Sequence, residues 1–392
     1  MTLPVPLDPA DRFVTGWSLP RVVVARLVRW RRAFLANRPP NTARALEADA
    51  RHYIRWCASR RLLAVPAAPE TVTAYLHDVA GSGGRGGGPA SAATIARRQS
   101  TIATLHRACD LPDPTKDALA REEVRGLVRR RGLRGTQAAP LRRTDVDAIL
   151  QALEEDGTAE SLQAAALICV GYDTLRRRAD LARIELKHLA RERDGTGRLF
   201  VPRGKTDQMG EGRWCWLAPD TVDRLTAWLE LRETLLANRI GAVLRAAGER
   251  RKLRAPWQAL ERRLARLRLA EPYAWVQFGS DRAAGLDHGP LGPLLVAGPD
   301  PGKRVAAVIQ AAARAAGISG FSVMGEGGVS GHSLRVGACQ DLLANGASVL
   351  GAQQAGDWKS PVMPAYYGER IIAAESPMAQ LAAKQGRVKD QQ

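Results

Sequence analysis

The sequence predicts a mainly α-helical protein of two domains, the second of which contains a small antiparallel sheet. Three observations support this fold class. Apolar residues recur at helical spacing through most of the 392 residues. Two short apolar runs separated by a polar turn, RLFVPRGKTDQ and GRWCWLAP, are typical of a β-hairpin. Between the two halves, the basic, Gly- and Pro-containing stretch 132–143 is typical of an interdomain linker.

The front domain, residues 1–135, is predicted to be helical. The run NTARALEADARHYIRWCASRR forms one long helix, with Asn41 or Thr42 as its cap. A second helix begins at Pro69 and stops at the glycine segment GSGGRGGG, residues 81–88. No GK[ST] follows these glycines, so we interpret the segment as a flexible loop and not as a phosphate-binding loop. Further helices are predicted at 90–109 and 115–131.

The back domain is predicted to cover 144–392, after a linker at 136–143. Apolar spacing predicts its helices at 144–154, 158–175, 219–247, 303–316, 332–345 and 348–355. The predicted hairpin lies between the second and third of these helices. A Gly- and Pro-rich loop, 285–302, precedes the fourth.

The charge balance narrows the class of partner. Lys and Arg number 58 against 40 Asp and Glu, a formal net charge of +18. Residues 1–140 hold 23 basic and 11 acidic side chains, so the excess is concentrated in the front third without being confined to a tail. Such a surface fits nucleic acid or an acidic membrane. No helix concentrates Lys and Arg opposite a Trp/Leu face, which disfavours the membrane.

One segment of the back domain, 245–268, is also strongly basic. It has nine Arg and Lys residues against two Glu. It is either an excursion that contacts nucleic acid or a solvated helical hairpin, and the sequence does not favour one over the other.

The sequence shows no sign of a membrane span, a signal peptide or a metal site. No stretch approaches the roughly 20 apolar residues that a span needs, and Met1 to Phe13 contains prolines and two aspartates. The cysteines are scattered, with no CxxC and no nearby histidine pair: Cys57, Cys109, Cys169, Cys215 and Cys339. We therefore expect no metal, no cofactor, no disulfide framework and a cytoplasmic location.

Four segments of the back domain combine into one pattern: YDTLRRRADLARI (172–184), VPRGKTD (201–207), GHSLRVG (331–337) and GDWKSPVMPAYYG (356–368). Taken singly, each has an ordinary structural explanation, such as a helix salt bridge or a core tryptophan. The Gly204-Lys205-Thr206 tripeptide mimics the end of a nucleotide-binding loop, but Leu199 stands where that loop requires its first glycine.

In this order, the four segments resemble the tyrosine recombinase (phage integrase) family, most closely its Cre-like branch. The similarity is strong at TLRRRADLARI, at GKT after a short strand, at SGHSLRVGACQDLLANGAS and at QQAGDWKSPVMPAYY. In the front domain, HYIRWCASRRLLAVPAAPETVTAYL and TIATLHRACDLPDP resemble the family's DNA-clamping helices. The resemblance covers roughly residues 40–380, apart from the glycine segment and the region 232–270.

The resemblance implies a SAM-like helical DNA-binding domain in front and a mostly helical catalytic domain behind. It implies an enzyme that cuts and rejoins duplex DNA through a 3′-phosphotyrosyl intermediate, in integration, excision or resolution. The implied partners are paired sites on double-stranded DNA, further copies in a homotetramer, and an accessory directionality factor as a candidate. The C-terminal run SPMAQLAAK (376–384) would dock into a neighbouring subunit, or else form a frayed amphipathic tail.

The resemblance also assigns four residues to the scissile phosphate. Arg177 and Arg335 would clamp its non-bridging oxygens, because two planar guanidiniums suit the charge that develops there. His332 would add a hydrogen bond and help to move the proton of the nucleophile. Trp358 matches a position that the family fills with His or Trp, and its indole N–H would donate to the phosphate.

The remaining roles fall to three residues. Tyr367 would be the nucleophile, since a phenol can attack phosphorus and later leave. Lys205 would protonate the departing 5′ oxygen, and Asp180 would orient the cluster without touching DNA. Tyr366 competes for the first role, but the nine-residue interval after Trp358 selects Tyr367.

A similar ambiguity concerns the first arginine, because Arg176, Arg177 and Arg178 are consecutive. The alignment favours Arg177, which lies three residues before Asp180.

Two departures from the family pattern stand out. The basic region 232–270 looks longer than in Cre-like relatives, and Pro361 and Pro364 are expected to break a continuous helix between the tryptophan and the tyrosine. A type IB topoisomerase and a non-catalytic DNA-binding relative are the alternative functions. The helical front domain disfavours the first, and the complete set of expected residues disfavours the second.

Overall fold

The computed structural model describes residues 21–132, 137–202, 210–250, 272–277, 292–293, 302–318, 326–374, 376–385 and 387. The chain divides into two compact units, Met1–Gly135 and Thr136–Gln392. Within the described ranges, no helix combines the length and the apolar character needed to traverse a bilayer.

The first unit is built of helices. They are α1 (Arg21–Asn37), α2 (Pro40–Ser59), α3 (Pro69–Ser82), α4 (Ala92–Ala108) and α5 (Ala118–Arg131). Proline suits the start of α2 and α3 because the first N–H groups of a helix have no intrahelical partner. Ser91 caps α4 by accepting a hydrogen bond from the backbone N–H of Thr94. Buried side chains of all five helices form the core, among them Leu27, Tyr53 and Tyr75.

The glycine segment 81–88 is partly helical, so the prediction of a loop over its whole length was wrong. Helix α3 continues through Ser82, and Arg85–Gly87 form a 3-10 turn. The Gly83 N–H donates to the Val79 carbonyl at 2.8 Å and closes the last turn of α3. A Cβ at Gly83 would lie 2.6 Å from that carbonyl oxygen, so this close approach requires glycine.

The second unit combines helices with short strands. Its helices are α6 (Arg143–Asp156), α7 (Ala159–Thr174), α8 (Arg178–Leu181), α9 (Pro219–Arg250), α10 (Gly302–Ala315), α11 (Ser333–Ala344), α12 (Val349–Gly356), α13 (Val362–Tyr367), α14 (Glu369–Ala374) and α15 (Pro377–Lys384). Its strands are β1 (Gln137–Ala138), β2 (Leu189–Arg191), β3 (Gly197–Val201), β4 (Arg213–Leu217), β5 (Val276–Gln277), β6 (Gly292–Pro293) and β7 (Glu326–Gly327). The predicted fold class, mainly helical with a small antiparallel sheet, is confirmed.

The predicted hairpin forms the larger part of a three-stranded antiparallel sheet of order β2-β3-β4. Leu199 of β3 pairs with Cys215 of β4, and both side chains are buried against the core. The opposite face carries Trp214 and Trp216, each more than half exposed. Strand β2 was not predicted, because three residues are too few to show an alternating pattern.

Helix α7 is the centre of the second unit. Every residue from Gln163 to Gly171 is buried, since α6, α9, α11 and β4 pack around it. Two buried tryptophans tie other segments to this core through their indole N–H groups. Trp228 donates to the Ala274 carbonyl at 2.9 Å and Trp275 to the Leu181 carbonyl at 2.8 Å.

The predicted linker contains structured residues. Strand β1 pairs in parallel with β7, and the Leu141 N–H donates to the Ser333 carbonyl at 3.0 Å. Gly337 permits this contact, because a Cβ there would meet the Leu141 carbonyl oxygen at 1.8 Å. The segment that leads into α6 is therefore fastened to the first half of α11.

Two prolines affect helix α13 differently. The expected interruption falls at Pro361, which immediately precedes the helix. Pro364 does not interrupt α13, because it lies in the first turn, where its missing N–H would have no intrahelical partner. The Gly368 N–H donates to the Pro364 carbonyl at 3.0 Å, so the helix closes at Tyr367.

The basic segment 245–268 is described only up to Arg250, where it belongs to α9. Its remainder, and all of the loop 285–302 except residues 292–293 and 302, lie outside the described residues.

Candidate active site

Three consecutive arginines follow α7. The side chain of the first, Arg176, holds the end of α7 to the end of α12. Leu175 ends α7 with a left-handed backbone conformation, φ 50°. Arg176 is only 4% exposed. It donates from Nε to the Thr174 carbonyl at 2.8 Å and from Nη2 to the Ala355 carbonyl at 3.0 Å. Its Nη1 lies 3.6 Å from the Asp357 carboxylate. Its donors are thus largely occupied by the protein.

Arg177 has a different environment. It precedes α8, and its backbone carbonyl accepts the first hydrogen bonds of that helix from Asp180 and Leu181. Its half-buried side chain makes no hydrogen bond or ion pair to any other residue that the structure describes. Within the described residues the Arg177 guanidinium is thus available to a ligand, which fits the phosphate-binding role that the resemblance assigns to it.

Arg335 lies on α11 and is 3% exposed. Its Nη1 donates to the Leu175 carbonyl, and its guanidinium carbon lies 3.9 Å from the centre of the Trp358 ring. Burial lowers the pKa of Arg335 to about 9, with the charges of Arg177 and Arg176 acting in the same direction. The group stays cationic at neutral pH. A buried anion beside it would remove much of this electrostatic cost.

The Nη2 atom of Arg335 is buried and has no hydrogen-bond partner among the described residues. An unpartnered buried donor costs about 1–3 kcal/mol, and more when it is charged. Such an atom marks a place where an acceptor of a bound ligand can complete the hydrogen bonding.

Trp358 and Tyr367 complete this cluster. Their ring centres are 5.9 Å apart, with the rings near perpendicular at 69°. Trp358 packs directly over Gly356, where a Cβ would lie 1.9 Å from the indole ring. The Tyr367 carbonyl accepts a hydrogen bond from the Gln340 side chain at 3.0 Å, so α11 also holds the end of α13. The two aromatic rings and the Arg335 guanidinium form one contact group.

Burial raises the pKa of the Tyr367 phenol, although the positive charges of Arg335 and Arg177 lower it. The phenol is therefore protonated at neutral pH, and its use as a nucleophile requires a group that accepts the proton.

Asp180 lies in the same electrostatic neighbourhood. Burial raises the pKa of its carboxyl, while Arg177 foremost, and Arg176 and Arg335 as well, act in the opposite direction. A buried carboxylate among several guanidiniums balances part of their charge.

His332 is exposed and immediately precedes α11, three residues before Arg335. Its backbone N–H donates to the Ser330 hydroxyl at 3.2 Å. Lys205 lies outside the described residues, between the ends of β3 and β4, so its placement stays a prediction.

The structure brings Arg177, Asp180, Arg335, Trp358 and Tyr367 into one neighbourhood, with His332 a turn away from Arg335 along the chain. Two residues with contacts to this region were missed by sequence reasoning. Asp341 and Tyr172 share a hydrogen bond of 2.6 Å between α11 and α7. Neither has a sequence signal of its own, because their contact joins residues far apart in the chain.

Comparisons with known proteins agree with the fold. No family model matches the chain. Over 345 residues it is 26% identical to the recombinase Cre of Escherichia phage P1, covering 87% of each chain. Over 179 residues it is 26% identical to an integrase/recombinase XerD homologue of Selenomonas ruminantium, covering 45% of this chain and 50% of that one.

Among solved structures, the integrase of the transposon Tn1549, in complex with transposon right end DNA, has the same fold. The TM-score is 0.53 at 12% sequence identity, covering 92% of this chain and 98% of that one.

The helical fold with its small antiparallel sheet and the similarity to Cre over most of both chains support a tyrosine recombinase. Within that class it is Cre-like, since the similarity to Cre extends over both units of the chain. The family prediction made from the sequence is confirmed.

Proposed function

We propose that this protein cuts and rejoins duplex DNA at specific sites, with Tyr367 as the nucleophile and a 3′-phosphotyrosyl intermediate. The observation that carries the proposal is the environment of Arg335. Its buried guanidinium lies over Trp358 and influences the Tyr367 phenol, and its Nη2 has no hydrogen-bond partner among the residues that the structure describes. A phosphate diester at this position would receive charge-assisted hydrogen bonds within reach of a nucleophile.

Each step of the reaction has a candidate residue. Arg177 and Arg335 bind the non-bridging oxygens and stabilise the charge that develops on them. The Tyr367 oxygen attacks phosphorus, its proton passes toward His332, and Lys205 supplies a proton to the departing 5′ oxygen. The phosphotyrosine retains the energy of the broken ester bond, so attack by a 5′ hydroxyl reverses the steps without a nucleotide.

The first unit is proposed to grip the DNA. Arg51 and Arg55 lie four residues apart on α2 and are exposed. With Ala48, His52 and Trp56 they line a shallow pocket on this helix. Cations on an exposed helix face can contact phosphates and base edges of a duplex.

Assembly on DNA is proposed to be tetrameric, with each copy holding half of one of two paired sites. Helix α15 supports this proposal, because Met378 is 67% exposed and Leu381 44% exposed. An exposed apolar helix face of this kind suits a contact with a neighbouring copy. Because its substrate is DNA, we place the action of the protein in the cytoplasm, at the nucleoid.

Trapping of the covalent intermediate tests the proposal. A nicked substrate that loses its 5′ fragment should accumulate a protein–DNA adduct with the wild type and with Tyr366→Phe. Tyr367→Phe removes one oxygen and keeps the ring, so it should bind DNA as the wild type does and form no adduct. Peptide mapping of the adduct identifies the modified tyrosine.

Other outcomes of this assay, or of an assay on supercoiled DNA, would indicate other functions. An adduct at Tyr366 would overturn the assignment of the nucleophile. Absence of an adduct at either residue on the authentic site would indicate a DNA-binding relative without chemistry. Relaxation of supercoiled DNA by a monomer, without exchange between two sites, would indicate a topoisomerase.

A further inference from the structure

The carboxylate of Asp341 is held by three donors from two other segments. Its Oδ2 accepts hydrogen bonds from the Tyr172 hydroxyl at 2.6 Å and from the Arg143 backbone N–H at 2.7 Å. Its Oδ1 accepts from Arg142 Nε, also at 2.6 Å. The side chain is 15% exposed. Three short bonds to a charged acceptor, largely removed from water, make a strong and directional contact.

The Tyr172–Asp341 bond joins α7, which leads into the segment of Arg177, to α11, which carries Arg335. Tyr172 is on α7, five residues before Arg177, and Asp341 is on α11, six residues after Arg335. The helices pack closely, because a Cβ at Gly171 of α7 would lie 2.9 Å from the Leu334 side chain of α11.

A second bond joins the same helices on the side of the active site. Arg335 Nη1 donates to the carbonyl of Leu175, the residue that ends α7. With the Tyr172–Asp341 bond, α7 and α11 are therefore connected at two points. Between them, these two connections determine how far Arg335 can shift relative to the chain that leads into Arg177.

We propose that Tyr172 and Asp341 are positioning residues that set the spacing of Arg177 and Arg335, and thereby the fit of the clamp to the transition state. The inference rests on the proposed function. A displacement of about 1 Å in a positioned catalytic group can reduce a rate on the order of a hundredfold. Neither residue touches the DNA in this proposal.

The two residues can be separated by substitution. Asp341 has two donors on the segment that leads into α6, so it stays in place when the Tyr172 hydroxyl is removed. Burial first, and the bond to Asp341 second, raise the pKa of Tyr172, so its phenol remains a donor throughout the working pH range. Tyr172→Phe therefore removes only the Tyr172–Asp341 hydrogen bond and leaves the other bonds of Asp341 in place. In Asp341→Asn an amide N–H₂ must face one of the three donors, which disturbs the contact more severely.

The test is single-turnover cleavage of a nicked substrate that carries either a normal scissile phosphate or a methylphosphonate. The methylphosphonate lacks one charged oxygen, so its cleavage depends less on the spacing of two guanidiniums. We expect Tyr172→Phe to slow cleavage of the phosphate on the order of tenfold or more, with unchanged DNA affinity. The loss of one hydrogen bond to a charged acceptor lowers the unfolding midpoint, but the variant stays folded at the assay temperature. On the methylphosphonate, the ratio of variant to wild-type rate should move back toward one.

The matched control is Tyr273→Phe, since the hydroxyl of the half-buried Tyr273 has no hydrogen bond among the described residues. It should cleave both substrates as the wild type does. Wild-type rates for Tyr172→Phe would overturn the inference. An equal loss on both substrates would also overturn it, because that is the result of general destabilisation. Failure of the wild type to form any adduct would instead overturn the proposed function.

Discussion

At the scale of single residues, the backbone decides which arginine is available for a ligand. Arg176 and Arg177 are adjacent and chemically identical, yet Arg176 is buried with two carbonyl acceptors, whereas Arg177 is half-buried and has no hydrogen-bond or ion-pair partner in the described part of the chain. The left-handed backbone of Leu175 ends α7 just before them, so the two arginines do not lie on a continuous helix.

Substitution of each arginine by alanine should separate a structural from a catalytic role. Arg177→Ala should retain the unfolding free energy and DNA binding but lose cleavage on the order of 10²–10³-fold, the usual loss when a donor to a developing oxyanion is removed. Arg176→Ala should lower the unfolding free energy by about 3 kcal/mol, because two backbone carbonyls and Asp357 lose their partner.

Urea unfolding and adduct formation measure the two effects on the same preparations. Equal losses of unfolding free energy in both variants would contradict the division of roles. Normal cleavage by Arg177→Ala would show that Arg177 does not bind the scissile phosphate and that another arginine has this role.

The site residues differ in how far the sequence could predict them. Arg335 and Trp358 come from motifs whose spacing is local, and the structure places them in contact. Asp341 and Tyr172 could not be predicted, because an aspartate and a tyrosine on helices are ordinary until their partners are known. Two of the three partners of Arg176, Ala355 and Asp357, are about 180 positions away in the chain, so the sequence could not predict its burial either.

At the scale of elements, the sequence predicts those helices whose apolar residues recur at helical spacing over several turns. The boundaries of α6, α7 and α11 fall within two residues of the predicted ones. The two-residue strands β1 and β7 were missed, since so short a strand has no periodicity and forms only through a distant partner.

In the first unit, His106 holds helix α4 to the segment before α3 and makes the stability of the protein depend on pH. Its Nε2 accepts from the Ala67 backbone N–H at 2.9 Å, so its Nδ1 carries the proton and donates to the Ile102 carbonyl at 2.9 Å. Burial lowers the pKa of His106 below the ordinary 6.5. Protonation thus favours the unfolded chain, and stability falls as the pH drops below about 6.5.

We expect the urea midpoint of the wild type to fall between pH 7.5 and pH 5.5, with His106 contributing to the fall. His106→Gln removes the titrating group, so its midpoint should change less over the same interval, whatever its value at pH 7.5. His52, whose pKa burial also lowers, accounts for part of the remaining change. An identical pH dependence in the variant and the wild type would rule out His106 as a source.

At the scale of the whole molecule, charge and apolar surface serve different contacts. The net charge of +18 favours association with a polyanion. The exposed side chains of α15 are apolar. They suit contacts with a protein surface and not with the phosphates of DNA. Helix α14 differs from α15, because its Ile371 packs against the cluster that contains Trp358.

Substitution in α15 tests its part in assembly without disturbing that cluster. Met378→Ser combined with Leu381→Ser should leave binding and cleavage of a single half-site unchanged. Formation of the tetramer on paired sites should be lost, since each contact loses about 2 kcal/mol or more of apolar burial. Leu119→Ser, at a leucine that is 79% exposed in the first unit, is the matched control and should assemble normally. Native mass spectrometry or light scattering of the DNA complexes measures the assembly. Unimpaired tetramers in the double variant would show that α15 is a bystander.

The pairing of β1 with β7 has a consequence for how the protein is made. Residues near 138 find their neighbours only after residues near 327 have been synthesised, and the cluster around Arg335 needs Tyr367, which is synthesised later still. The first unit has no such dependence, because its helices contact one another within the first 131 residues. A nascent chain on the ribosome can therefore fold its front unit early. The proposed cutting site is incomplete until Tyr367 has been synthesised, so an emerging chain has a folded front unit before it has the residues proposed to cut DNA.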